Sequence, residues 1–195
     1  MFDLLFKNIQ SKGVTLHESE MQIIRDTFHH KKYRKGQYIL QDGEISAFDN
    51  YIIKGLARTY SVDAKGQEHI VRFTPEDWWT GDLASFLSGK PTAYNVDCLE
   101  STEVLRITRD QLEALCDKVP VMNKYFRVLY QRSIISFNLR VSSNLSMNAR
   151  ERYNEFIKRF PEIHQRVPDK QIASYLGITP QSLSRIRNQF TGENR

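Results

Sequence analysis

Close to the C-terminus, Thr179-Pro180-Gln181-Ser182-Leu183-Ser184-Arg185-Ile186-Arg187 combines residue types that can read a base pair. An arginine guanidinium donates two parallel hydrogen bonds to a guanine edge, and a glutamine amide both donates to and accepts from an adenine. Serine and threonine hydroxyls suit bases or phosphates, while lysine and arginine neutralise phosphate charge. With Leu183 and Ile186 turned inward on one helix, Gln181, Ser182, Ser184, Arg185 and Asn188 fall on its outward side. Thr179 is expected to cap that helix, and Lys170, Arg187 and Arg195 are the cations expected at phosphates.

Those groups need a second helix to hold the first at a fixed angle. Ile172, Leu176, Ile178, Leu183 and Ile186 have the spacing to bury two inner helix faces, and Ala173 is small where the helices would cross. Gly177 supplies the left-handed conformation that ends one helix, and Pro180 fits the first turn of the next. This pattern predicts a helix-turn-helix whose second helix enters the major groove. A helical hairpin with a purely structural role is the alternative. Charge favours the first reading. Residues 1–145 hold 19 basic and 18 acidic side chains, whereas residues 146–195 hold nine basic and five acidic, so nearly all of the net +5 lies in the last quarter. A solvated basic face is the plain counter-reading of that charge.

The elements ahead of this segment fall into two textures. Thr15-Leu16-His17-Glu18 fits a capping box for a short helix carrying Met21, Ile23, Ile24 and Phe28. From about Tyr33 to Thr108 the chain reads as β: Tyr38–Leu40, Asn50–Ile53, Leu56–Val62, His69–Phe73, Tyr94–Cys98 and Glu103–Ile107 are short strands cut by glycine-bearing turns. A helix over Arg109–Asp117 follows, and Pro120 opens a long one from Val121 to about Asn144. On that helix Val121, Tyr125, Val128, Ile135 and Leu139 form one apolar seam, with Tyr130, Ile134, Phe137, Val141 and Leu145 as a second stripe. Two stripes require two partners: the β domain, and either a second copy of the helix or more of the same chain. Ser146 is expected to cap the next helix, whose face is Tyr153, Phe156, Ile157 and Phe160.

Several classes are excluded or disfavoured. A chain of 195 residues with 40% hydrophobic and 11% aromatic content can build a real core, and no apolar run approaches a membrane span. The expectation is therefore a soluble cytoplasmic protein. Cys98 and Cys116 are too few for a disulfide framework, a zinc site or an iron–sulfur cluster and read as buried thiols. His29-His30, beside Lys31-Lys32, reads as a solvated helix end and not a metal site, and Trp78-Trp79 reads as core. No catalytic spacing, phosphate loop or dinucleotide fingerprint is present, so neither an enzyme nor a cofactor or metal is expected.

With the motif Arg152-Tyr153-Asn154-Glu155-Phe156-Ile157 followed by Ile172-Ala173-Ser174-Tyr175-Leu176-Gly177-Ile178-Thr179-Pro180, the chain resembles the CRP/FNR-like family of bacterial transcription regulators, in its compact Bacteroidetes-type form. The resemblance runs over essentially the whole length. It implies an α+β fold: a jelly-roll-like β-roll sensor domain (1–119), a central dimerisation helix (120–145) and a winged-helix-like helix-turn-helix domain (146–195). It also implies a homodimer on a two-fold related site in double-stranded DNA, with RNA polymerase as a further candidate partner. Gln181 and Arg185 match the family's base-contacting positions; glutamate is common where Gln181 stands, so a different half-site is expected.

The family's cyclic-nucleotide cassette looks like Gly-Glu-Leu, a short helix, then Arg-Ser/Thr-Ala. The matching residues here are Gly81, Asp82, Leu83 and Ala84, then Pro91, Thr92 and Ala93. Pro91 stands where arginine would grip the cyclic phosphate, and proline supplies neither the guanidinium fork nor an N–H. Cyclic AMP is therefore not the expected effector, which leaves another small ligand or none. The competing reading of the whole chain is a ligand-binding or protein-interaction roll with a vestigial helix-turn-helix. A wing for that domain would have to come from the short Ile163–Val167 segment.

Overall fold

Strands form where β-branched and aromatic residues alternate, and helices where polar faces open. The computed structural model describes residues 1–193, and their elements follow this division. Two helices, α1 (Asp3–Ser11) and α2 (Glu18–Thr27), precede eight strands: β1 (His29–Tyr33), β2 (Tyr38–Leu40), β3 (Asp49–Lys54), β4 (Ala57–Val62), β5 (Glu68–Thr74), β6 (Trp79–Thr80), β7 (Asn95–Cys98) and β8 (Thr102–Ile107). A short helix, α3 (Leu83–Ser88), interrupts them between β6 and β7. The helices α4 (Arg109–Lys118), α5 (Val121–Ser146), α6 (Ala149–Arg159), α7 (Ile163–Arg166), α8 (Asp169–Leu176) and α9 (Pro180–Glu193) complete the chain.

The strands make two four-stranded sheets, in the orders β1-β8-β3-β6 and β2-β7-β4-β5. This is the double-sheet roll expected from the strand pattern. Gly55 turns β3 into β4 at φ +97; a Cβ there would lie 2.6 Å from the Ser101 carbonyl, so only glycine fits. The chain divides into two compact units, residues 1–61 with 72–133, and residues 62–71 with 134–195.

In the first unit, one core joins α1, α2, α4 and the start of α5 to the β3–β8 wall. Leu5, Ile9, Ile24, Tyr51, Leu105, Ile107, Leu115, Met122 and Tyr125 are all buried in it. A second cluster (Tyr33, Leu40, Ile52, Ala57, Val96, Cys98 and Val104) fills the roll. Polar groups inside the first core find partners in one another. Tyr125 OH donates to Asn8 Oδ1 (3.0 Å) and accepts from Trp79 Nε1 (2.9 Å). Asn8 Nδ2 and Tyr51 OH both donate to Asp77 Oδ1, and Asp77 itself sits at φ +69.

Residues 3–11 form a helix not expected from the sequence; Leu5 and Ile9 lie one turn apart and both face the core. Three expectations are corrected at this level. The capping residue of α2 is His17 and not Thr15: its N–H donates to Glu20 Oε2 at 2.7 Å. His29 and His30 belong to a strand and not a helix end; β1 pairs with β8, where Glu103 accepts from His30 and Lys32. Ser146 stays in the last turn of α5, donating to the Ser142 carbonyl, while Asn148 caps α6 by accepting from the Glu151 N–H.

Asp49, on β3, is buried, and burial pushes its carboxyl up to about 7, against the pull of the Arg72 charge and the Asn50 N–H. The unfolded carboxyl ionises near 3.8, so between about pH 4 and 7 unfolding releases a proton, and this group's contribution to stability is lost as pH rises. Asp49→Asn should remove that loss. In urea titrations at pH 4.5 and 7.5, the stability of the variant relative to wild type should increase with pH; a constant difference means Asp49 ionises normally.

Candidate functional site

The second unit is built around the aromatic faces of α6 and α8. Phe156 and Tyr175 pack with ring centroids 5.4 Å apart, and Phe160 meets Tyr175 edge-on at 6.2 Å. Ile172, Ala173, Leu176, Leu183 and Ile186 are buried, and Ile178 is half-buried. Gly177 ends α8 at φ +66, and the Ile178 N–H returns to the Ala173 carbonyl at 3.0 Å. The turn then opens α9, whose first residue is Pro180.

The polar residues of α9 divide into two sets. Thr179 Oγ1 accepts from the Ser182 N–H (3.2 Å) and lies 3.0 Å from the Ser182 hydroxyl, so both side chains are spent on starting the helix. Arg187 is half-buried and donates to Asp169 Oδ1 at 2.5 Å, with its guanidinium 6.0 Å from the Tyr153 ring. It ties α9 to the first turn of α8 and is not the outward phosphate contact expected from sequence. Gln181, Ser184 and Arg185 are exposed and make no side-chain hydrogen bond or ion pair among the described residues. Gln181 and Arg185 are four apart, one helical turn, and thus share a face. Lys170 is exposed one residue into α8, and Arg195 lies outside the described residues.

This domain carries a contact that no local pattern could announce. The tip of the β4–β5 hairpin, residues 62–71, belongs to the same compact unit. Ser174 Oγ accepts from the Ile70 N–H (3.1 Å) and donates to the Glu68 carbonyl (3.0 Å). Arg140, from α5, donates to the Ile70 carbonyl at 3.3 Å and stacks 4.1 Å over Tyr175. Burial holds the Arg140 guanidinium below its ordinary pKa. Every element after β8 is helical among the described residues; Ile163–Arg166 forms α7, so the expected wing is absent.

The dimer seam expected on α5 needs one correction. Val121, Ile135 and Leu139 are exposed and Val128 is half-buried, but Tyr125 is fully buried against its own roll and hydrogen-bonded there. It follows the seam's spacing but points into the core, because the first turns of α5 are the floor of the first unit.

In the first unit, the cassette residues are closed on one another. Asp82 Oδ1 accepts from the Ala84 N–H at the start of α3 (3.0 Å), and Oδ2 accepts from the Thr92 hydroxyl (2.8 Å). Ser85 Oγ accepts from the Ser46 N–H and donates to the Lys90 carbonyl at 2.6 Å, drawing the 88–91 loop over the helix. Gly81 sits at φ +136, Leu83 is half-buried, and Ala84, Pro91 and Ala93 are exposed. Asp82, the counterpart of the cassette's glutamate, is thus used within the cassette, and Pro91 offers no donor where the arginine would stand. These residues do not fit a cyclic nucleotide. The thiols are quiet: burial pushes Cys98 up to about 11 and raises Cys116 as well.

A family model described as "Cyclic nucleotide-binding domain" matches residues 30–119. The anaerobic regulatory protein of Haemophilus influenzae is 26% identical over 90% of this chain and 72% of its own length. The fumarate and nitrate reduction regulatory protein of Vibrio cholerae is also 26% identical, over 90% of this chain and 74% of its own. The chain is a homologue of the CRP/FNR regulators. Among solved structures, FixK2 from Bradyrhizobium japonicum shares the fold, with a TM-score of 0.70 at 19% identity over 86% of each chain. This CRP/FNR homologue keeps the roll and the long helix but has Pro91 where the cassette's arginine would stand.

Cyclic AMP at 1 mM should therefore leave Tm unchanged. A ligand of 10 μM affinity would stabilise the fold by about 2.7 kcal/mol at that hundredfold excess, an effect plain in a thermal scan. A rise in Tm would mean that the Asp82–Thr92 closure opens to admit the nucleotide.

Proposed function

We propose that this CRP/FNR homologue is a sequence-specific DNA-binding transcription regulator that acts as a homodimer through α5. The observation that carries the reading is the pair Gln181 and Arg185: both are exposed on one face of the second helix of a glycine-turned helix pair, and neither is used internally. Base discrimination falls to Gln181, Ser184 and Arg185, and Lys170 supplies a phosphate contact. Thr179, Ser182 and Arg187 support the reading helix from within. The double-stranded target is two-fold related, matching the symmetry of the dimer.

No helix of the described residues is long and apolar enough to cross a membrane, and a regulator of this kind works in the cytoplasm, without catalysis and with RNA polymerase as a candidate partner. Any effector differs from a cyclic nucleotide.

Selection of bound sequences from random duplex DNA tests the proposal. An enriched palindrome, bound with affinity that falls steeply with salt, is expected; absence of salt-dependent binding would favour a roll with a vestigial helix-turn-helix. On the selected site, Arg185→Ala should cost roughly 1–3 kcal/mol and relax one half-site position. Arg187→Ala should instead lower the thermal stability of the domain and leave the salt dependence unchanged, as befits an internal tie.

A further inference from the structure

In the sheet ordered β2-β7-β4-β5, the strand β5 stands at an edge, where backbone N–H and C=O groups have no neighbouring strand to bond. Along Glu68–Ile70 those groups are taken by helices instead. Ser174 of α8 accepts from the Ile70 N–H (3.1 Å) and donates to the Glu68 carbonyl (3.0 Å), and Arg140 of α5 donates to the Ile70 carbonyl (3.3 Å). A serine inside a helix commonly points to solvent or donates to the carbonyl four residues back, here that of Lys170. Ser174 instead reaches groups 104 and 106 residues away in the chain, and its one hydroxyl supplies both the acceptor and the donor that a further strand would offer. The hairpin it holds is stiffened at its tip. The Asp63 carboxylate accepts from the Lys65 and Gln67 N–H groups (2.8 and 3.0 Å) and lies 2.9 Å from His69 Nε2, while the Asp63 N–H donates to the Gln67 carbonyl.

The hold is passed on to the reading helix. Beside Ser174, Tyr175 packs against Phe156 and Phe160 of α6 and under the Arg140 guanidinium, and Ala173 is fully buried. In turn α9 is fixed on α8 by Leu183 and Ile186, both buried, and by the Arg187–Asp169 pair. The hairpin tip is the one β segment of this unit among the described residues, and it grips the helix that carries α9. Resting on the DNA-binding reading above, we propose that this hairpin is a brace that holds α8 and α9 at the angle the duplex accepts, with Ser174 and Arg140 as positioning residues. A reading helix that is already fixed gives up less conformational freedom on binding, so the brace raises affinity for every sequence alike. It adds neither a base contact nor a phosphate contact. Because coupling between two equilibria is reciprocal, bound DNA strengthens the grip on the hairpin by the same factor that the grip strengthens DNA binding.

Binding of the selected duplex by the full-length protein tests the brace, with amide hydrogen exchange at Ile70 as a second readout. Ser174→Ala should lower affinity by roughly tenfold, the worth of two lost hydrogen bonds. Ser174→Thr, which keeps the hydroxyl, should bind as wild type does. The ranking of duplexes with single half-site changes, and the slope of affinity against salt, should be the same in Ser174→Ala and wild type. In wild type the Ile70 N–H should exchange more slowly with DNA bound than without; in Ser174→Ala, DNA should make no difference. A Ser174→Ala protein that has a lower Tm but binds DNA like wild type overturns the brace and leaves Ser174 a structural residue alone. Exchange at Ile70 that ignores DNA in wild type overturns it as well, even if the variant does not fold. Tighter binding by Ser174→Ala also overturns it, since the hairpin would then hold the helices at an angle the duplex rejects. A wild-type protein that binds no duplex at all overturns the DNA-binding reading itself, and the brace with it.

Discussion

The structure depends on a chain of hydrogen bonds in the core of the first unit. Trp79 donates to Tyr125, Tyr125 to Asn8, and Asn8 and Tyr51 both to Asp77. Each of these groups would be expensive to bury alone. Together they join α1, the β5–β6 turn, the β3 wall and the first turns of α5. Packing alone would tolerate some rotation of α5 about its axis, since Met122, Phe126 and Leu129 are interchangeable hydrophobes. The Tyr125 hydroxyl does not, because only one orientation reaches both Asn8 and Trp79. That constraint fixes which side of the first turns of α5, a helix of 26 residues about 39 Å long, faces the core of the first unit.

In the first unit the side of α5 that carries Tyr125 is consumed, and in the second Ile134, Ile135, Leu139, Val141 and Leu145 are exposed among the described residues. In the second unit the same economy of polar groups operates. Thr179, Ser182, Arg187 and Ser174 are used to start a helix, tie two helices, or hold a hairpin tip, while Gln181, Ser184 and Arg185 are left over. A surface for recognition is what remains after the internal hydrogen bonds have been made. In the cassette nothing of that kind remains: Asp82 and Thr92 satisfy each other.

Much of this was legible in the sequence. The turn glycine at 177, the apolar spacing through Ile186 and the strand pattern from Tyr38 to Ile107 are local signals, governed by backbone sterics and by alternation between water and core. The missed elements lacked such signals. β1 reads His-His-Lys-Lys and resembles no buried strand; it is held by pairing with β8, and Glu103 neutralises its cations. The capping position of α2 fell two residues later than the motif suggested, because the Glu20 carboxylate reaches the His17 N–H. The wing expected from family resemblance gave way to the α7 turn.

The sequence by itself determined the class of element at nearly every stretch, the place of the helix-turn-helix, and the loss of the arginine a cyclic phosphate needs. These are properties of residue type and near spacing. Only the tertiary structure decided which residues of a motif are available. Tyr125 kept the spacing of the dimer seam but is spent in the core, Arg187 kept the charge of a phosphate contact but is spent on Asp169, and Ser174 meets Ile70 across 104 residues of chain. The reason is physical. A helix's periodicity defines its faces, and which of them remains free is settled by partners distant in the chain.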